Sequence, residues 1–217
     1  MQLKNLVSAV MLAAVVGGAQ ANVFFGAAGG AIPDNNATGI SSTATYTGPI
    51  TSIVALKIFG LRHTWVGDLT VTLTNPDGVS LSIFTKVLAG LPGDVGDSSN
   101  LGTSNGTVGA DYTFAQGGSD FWAAANGGAS SFDIPSGVTY QTSGNLFTGV
   151  IATSYVATNL SSGLNTATSG NWTLKIVDNA AADTGAYTSW QVEAVPEPAS
   201  MAALALGVAA FARKRRK

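Results

Sequence analysis

The chain holds one histidine, His63, and no cysteine. Without cysteine there are no disulfides and no thiolate metal sites. His63 sits in His63-Thr64-Trp65 and is the residue type best suited to general-base work near neutral pH. No partner pair accompanies it in the sequence, so it reads as a structural histidine hydrogen-bonded at a strand end. Gly102-Thr103-Ser104-Asn105-Gly106 spells the G-x-S-x-G of a nucleophile elbow. That motif needs a strand before it and a helix after it. Here a Gly/Asp/Ser loop precedes it and a strand is predicted after it. The histidine also precedes the serine, against the α/β-hydrolase order. Ser104 is therefore read as a chance match in a Gly/Ser-rich loop.

The acids offer a different chemistry. Asp68, Asp94, Asp97, Asp178 and Asp183 lie in turns beside glycines and asparagines. Calcium takes six to eight oxygens, often from such turns. No D-x-D-x-D-G loop is present, and turn-capping is the plainer role for these carboxylates. Tyr112, Phe121, Trp122 and Tyr140 sit in loop-rich stretches. They either stack on sugars or cover the ends of a barrel, and covering the barrel ends is the expectation.

These residues need a scaffold, and composition bounds it. Charged residues make up only 10% of the 217, against about 25% in an average domain. The 27 glycines, with many Ser, Thr and Asn, favour short strands and turns over helices. Residues 22–195 carry four basic and eleven acidic side chains, a balance of −7. An acidic body lacks the basic footprint of a nucleic-acid binder. A domain of about 150 residues buries enough surface to hold without disulfides.

Both ends read as addresses. Lys4, the apolar run Leu6 to Val16 and Ala19-Gln20-Ala21 follow the order of a secretory signal peptide. Residues 1–21 are expected to pass through Sec and be cut after Ala21. The other end reads Pro196-Glu197-Pro198, an apolar stretch of about 14 residues, then Arg-Lys-Arg-Arg-Lys. Fourteen helical residues reach roughly 21 Å, short of a 30 Å hydrocarbon core. The basic end stays cytoplasmic by the positive-inside rule. Residues 195–217 therefore read as a temporary stop, and the order of features resembles the PEP-CTERM sorting signal. That resemblance implies an exosortase, cleavage near Pro-Glu-Pro, and delivery to the cell surface or its exopolysaccharide.

Between the ends, alternation marks strands. Residues 22–44 are rich in Gly, Ala, Asn and Thr and read as an extended lead-in. Val54, Leu56 and Ile58 alternate, and Gly60 is read as a change of direction. Leu69, Val71 and Leu73 alternate with threonines, which face water. Asn75-Pro76-Asp77-Gly78 is a turn, and Val79 to Phe84 completes a hairpin. Residues 88–111 read as a surface loop. Short strands are expected at Tyr112 to Phe114, Val138 to Gln141 and Ile151 to Val156, and a brief helix at Phe121 to Ala125. Trp172, Leu174 and Ile176, then Trp190, Val192 and Ala194, mark the last two strands. This pattern means an all-β jelly-roll sandwich or barrel of about eight strands.

Two segments carry a further resemblance. One is Gly60-Leu61-Arg62-His63-Thr64-Trp65-Val66-Gly67-Asp68-Leu69, running on to Pro76 and Gly78. The other is Gly170-Asn171-Trp172-Thr173-Leu174-Lys175-Ile176-Val177-Asp178, followed by Asp183-Thr184-Gly185 and Ser189-Trp190. Both resemble the P domain, or P/Homo B, that follows the catalytic domain of kexin- and furin-like proteases. The resemblance spans residues 45–194 and implies an eight-stranded jelly roll. It makes His63, Trp65, Gly67, Asp68, Pro76, Gly78, Trp172, Asp178, Gly185 and Trp190 fold-defining rather than catalytic. It also adds structural calcium at Asp68, Asp178 or Asp183 as a candidate; the residues themselves call for no cofactor. The expectation is a non-catalytic β-domain, exported and displayed. Its partner would be exopolysaccharide or a secreted protein, including a subtilisin-like protease in trans.

Overall fold

The computed structural model describes residues 22–89, 95–125, 130–143, 157–164 and 169–197. The expected signal-peptide residues Ala19 and Ala21, the strand at 151–156, Asp94, and Pro198 with the rest of the tail lie outside them.

Alternation builds the strands. Along Leu69–Thr74 (β4) the apolar residues are buried and Thr70, Thr72 and Thr74 are half-exposed. Its hairpin partner is Ser80–Thr85 (β5). The turn between them works as its sequence suggests. Asn75 Oδ1 accepts the N–H groups of Asp77 (3.0 Å) and Val79 (2.8 Å), and Gly78 takes φ +81°. Gly170–Asp178 (β9) pairs antiparallel with β4, and Asn36–Tyr46 (β2) pairs with β9. The order β2-β9-β4-β5 makes a four-stranded sheet.

The second sheet is formed by Val23–Ile32 (β1), Gly185–Pro196 (β10), Ile50–His63 (β3), Ala110–Asp120 (β6), Thr139–Ser143 (β7) and Ala157–Thr158 (β8), in that order. Among the described strands only the β6–β7 pair is parallel. Two short helices, Phe121–Ala124 (α1) and Leu160–Gly163 (α2), interrupt the strands. Asp120 starts α1 by accepting from the N–H groups of Trp122 and Ala123 (2.8 and 3.1 Å), as an N-cap aspartate does. The protein is thus an all-β sandwich of a six-stranded and a four-stranded sheet.

The buried faces of the two sheets meet in one core. Trp172, Leu174 and Ile176 come from β9, and Trp190 and Val192 from β10. Phe84, Phe114, Phe121 and Tyr140 form an aromatic cluster, with ring centroids 4.7 Å apart for Phe84–Phe121 and 5.1 Å for Phe121–Tyr140. Such pairs add about 0.5–1.5 kcal/mol each beyond burial.

Several expectations change here. The extended lead-in 22–44 is part of the sandwich: β1 pairs with β10 over its whole length, and β2 borders the other sheet. Small residues hide the strands because Gly and Ala give no alternation signal. Ten strands are described, and β1, β2 and the two-residue β8 are the ones that the alternation did not mark. Gly60 does not turn the chain: β3 continues to His63, with Gly60 at φ +60° where the register with β6 shifts. This is a β-bulge, a position that favours glycine. The last two strands, β9 and β10, belong to opposite sheets, and residues 179–184 cross from one to the other.

Candidate functional site

The two segments singled out in the sequence come together at one corner of the sandwich. β3 ends at His63, a 3-10 turn covers Val66–Asp68, and β4 begins at Leu69. Leu69 pairs with Asp178, the last residue of β9, and His63 pairs with Gly185, the first of β10. Four strand ends therefore converge, and His63, Asp68 and Asp178 are each at most 1% exposed.

His63 Nε2 lies 3.1 Å from Asp178 Oδ2. Its Nδ1 faces Trp65, 2.8 Å from the carbonyl oxygen and 3.1 Å from the N–H. Asp178 Oδ1 accepts from the Ala180 N–H at 3.2 Å. Thr64 Oγ1 donates to Asp183 Oδ1 at 2.7 Å and accepts from the Thr184 N–H at 3.2 Å. The side chains of the first segment thus tie directly to those of the second.

A third strand of chain seals the corner. The segment 95–101, expected on the surface, is instead mostly buried from Asp97 to Leu101. Leu101 and His63 exchange backbone hydrogen bonds (2.9 and 3.0 Å), Val66 N–H bonds to Ser99 O (2.8 Å) and Gly67 N–H to Asp97 O (2.9 Å). Trp65 Nε1 donates to Val95 O at 2.7 Å. A polar segment can be buried because its backbone groups are paired this way. Gly67 is required by contact: a Cβ there would lie 2.2 Å from Val95 O. Gly185 is required likewise, since a Cβ would lie 2.4 Å from His63 Cδ2.

Asp68 differs from its expected role. The corner's bonds run through its main chain, its carbonyl accepting from Asn179 N–H at 2.9 Å and Nδ2 at 2.6 Å. Its Oδ1 is buried without a hydrogen-bond partner. Burial, then the nearby Asp178 charge, pushes the carboxyl from the ordinary 3.8 up to about 7, opposed by His63 and Lys86.

The candidate calcium ligands Asp68, Asp178 and Asp183 do lie around this corner. Asp178 and Asp183, however, spend oxygens on His63, Ala180 and Thr64. Among the described residues no group of three or more His, Cys, Asp or Glu is arranged to hold a metal ion.

Ser104 is exposed in a turn at φ +54°. Both ring nitrogens of His63 are engaged elsewhere, and Ser104 is not among their partners. Tyr112, Phe121, Trp122 and Tyr140 are all at most 3% exposed. They cannot stack on a sugar; they fill the interior, with Tyr112 Oη donating to Ile134 O and Tyr140 Oη to Pro135 O. Trp172 and Trp190 lie in the core, and Pro76 and Gly78 in the β4–β5 turn.

The sorting motif begins inside the domain. β10 runs to Pro196, where Val195 pairs with Ser52 and Pro196 with Ile50. The Glu197 N–H bonds to Pro49 O at 3.1 Å, and Thr51 Oγ1 donates to Val195 O at 3.0 Å. The sequence pattern puts the boundary at 194 and does not reveal this overlap, because proline is a poor strand signal except at edges and ends.

No curated protein matches the chain. Among solved structures it is similar to the serine protease of Aeromonas sobria in complex with its chaperone, at TM-score 0.38 and 13% identity over 82% of this chain and 28% of that one. It is similar to the serine protease of Aeromonas sobria alone at TM-score 0.37 and 10% identity, over 81% and 27%. The chain thus spans little more than a quarter of the length of either. Residues 194–217 match the PEP-CTERM protein-sorting motif, which implies export, processing by an exosortase and sorting to the cell surface.

Proposed function

We propose that this protein is a non-catalytic interaction module, a β-sandwich carried to the cell surface or its exopolysaccharide by the exosortase pathway. The observation that carries the reading is the continuity of domain and signal. The sorting motif starts at residue 194, inside β10, so the sandwich is the cargo that the motif delivers. The engagement of His63 with Asp178 and Trp65 supports a structural rather than catalytic histidine. The resemblance of the two corner segments to the P domain agrees, since those positions define that fold.

The test is localisation. The full chain, tagged within the exposed turn 104–105, is followed by fractionation in a host with and without its exosortase. Surface or matrix recovery should depend on the exosortase and on residues 198–217. Recovery unchanged by either loss would overturn the reading.

A second reading, retention by matrix polysaccharide, draws on one surface. The outer face of the four-stranded sheet carries a row of hydroxyls, Thr43, Thr173, Thr74 and Ser80, in direct register across β2, β9, β4 and β5. Thr43–Thr173 and Thr74–Ser80 are bonded at 2.9 and 2.8 Å, which holds the row in place. Replacing Thr173 and Thr74 by Val tests it through retention on matrix polysaccharide. Unchanged retention would remove this face as the binding surface.

A further inference from the structure

The residues on which sorting acts are also residues of the fold. β10 has two neighbours for most of its length, but its β1 pairing ends at Val23–Ala194. Beyond that point Val195 and Pro196 pair with β3, and Glu197 bonds to Pro49 just ahead of it. The ties are the Val195–Ser52 and Pro196–Ile50 pairs, the Glu197 N–H to Pro49 O bond, and the Thr51 Oγ1 bond to Val195 O. The register shifts between Val195 and Pro196, and Pro196 has no N–H to donate. The hold is therefore real but thin, and it sits at a strand end, where local opening needs least free energy.

We propose that the folded domain gates its own processing: the end of β10 must detach from β3 before an exosortase can take the Pro196-Glu197-Pro198 segment. The inference rests on the sorting reading above. A segment whose backbone groups are spent on a neighbouring strand is taken by a cutting enzyme only from its locally opened form. When opening and reclosing are fast, the rate of cutting follows the population of the open form. Each hydrogen bond that holds the segment shut lowers that population by roughly 2- to 10-fold.

Three forms of the full chain, compared by pulse-chase in an exosortase-bearing host, test this. The first is the unmodified protein. The second carries Gly-Ser-Gly-Ser between Ala194 and Val195, which keeps residues 195–217 intact but moves them off β3. The third is Ser52→Cys with Val195→Cys. These residues are direct partners across the ladder, at a separation compatible with a disulfide, and the chain has no other cysteine.

The inserted form should be processed about 10-fold faster than the parent. The oxidised double-cysteine form should persist as precursor and be released by reductant. Equal rates for the parent and inserted forms, with processing still lost when the exosortase is deleted, would overturn the gate and leave the sorting reading standing. Processing that does not depend on the exosortase would overturn both. Because the inserted form leaves every residue of β3 in place, its result stands if the cysteine pair disturbs folding.

Discussion

His63 and Asp178 lie 115 positions apart in sequence and meet at 3.1 Å with no exposure to solvent. Two strand ends in opposite sheets are joined by this contact. Removing one partner leaves the other's polar group buried and unsatisfied. His63→Leu is expected to destabilise the domain by about 3–5 kcal/mol. The double variant His63→Leu/Asp178→Leu should recover much of that loss, since apolar pairs often replace buried ion pairs at little cost. Urea denaturation of the four members of the cycle measures it. Additive losses would show that the contact contributes nothing.

Asp68 gives the domain a pH dependence with a definite sign. The folded carboxyl titrates near 7, while the unfolded one titrates near the ordinary 3.8. Between those values the folded state holds the extra proton, so stability falls as pH rises through the window and levels off above it. Asp178, His63, Asp183 and Lys86 set the field around this group. Asp68→Asn removes the titration. The variant should match the parent near pH 3, below both titrations, and exceed it at pH 8, where the parent has lost the stability that the extra proton gave. A difference between variant and parent that is the same at both pH values would refute this.

Two glycines of the same sequence segment should respond differently to alanine. Gly67 is buried beneath the backbone of Val95 to Asp97, and that backbone cannot step aside as a flexible side chain can. Gly67→Ala should cost about 1–3 kcal/mol or more by overpacking. Gly78 has open space around it and only a left-handed φ of +81°. Gly78→Ala should cost on the order of 1–2 kcal/mol, the ordinary penalty of that conformation. Thermal midpoints of the two variants decide the order.

How much of this was legible follows from where each signal lives. The Leu69 to Phe84 hairpin could be read because its apolar and polar residues alternate and its turn spells Asn-Pro-Asp-Gly. The importance of His63, Gly67, Asp178 and Gly185 was legible as a set of motif positions. Their meeting was not, since contacts across 115 residues leave no local trace. The segment Asp97 to Leu101 read as surface because it is polar, yet it is buried through backbone bonds that composition does not reveal. Trp122 read ambiguously for a related reason: a tryptophan in a loop-rich stretch fits a ligand platform or a lid, and only packing distinguishes them.

The burial of Trp122 makes its substitution a stability experiment. At 3% exposure the ring, carried by α1, packs in the core. Trp122→Ala should cost about 3–5 kcal/mol through lost burial and a cavity. Any loss of polysaccharide retention in this variant should track unfolding in the same sample. A folded variant with full stability and no retention would restore the ring as a binding element.

The strand that the sequence hid should be indispensable. β1 covers one edge of β10 from Ile32–Gly185 to Val23–Ala194, and supplies Phe25 and Ile32 to the core. Phe25 stacks on Tyr46 with centroids 4.9 Å apart and lies 5.5 Å from Trp172, so it also joins the two sheets. Removing residues 22–32 discards about 1.5–3 kcal/mol of burial for each large side chain lost. It also bares the unpaired backbone of β10, a template for aggregation. A fragment of residues 22–197 is expected to melt cooperatively, and one of residues 33–197 to be unfolded or aggregated at the same temperature. If residues 22–32 were merely a lead-in, the two fragments would have the same midpoint by circular dichroism.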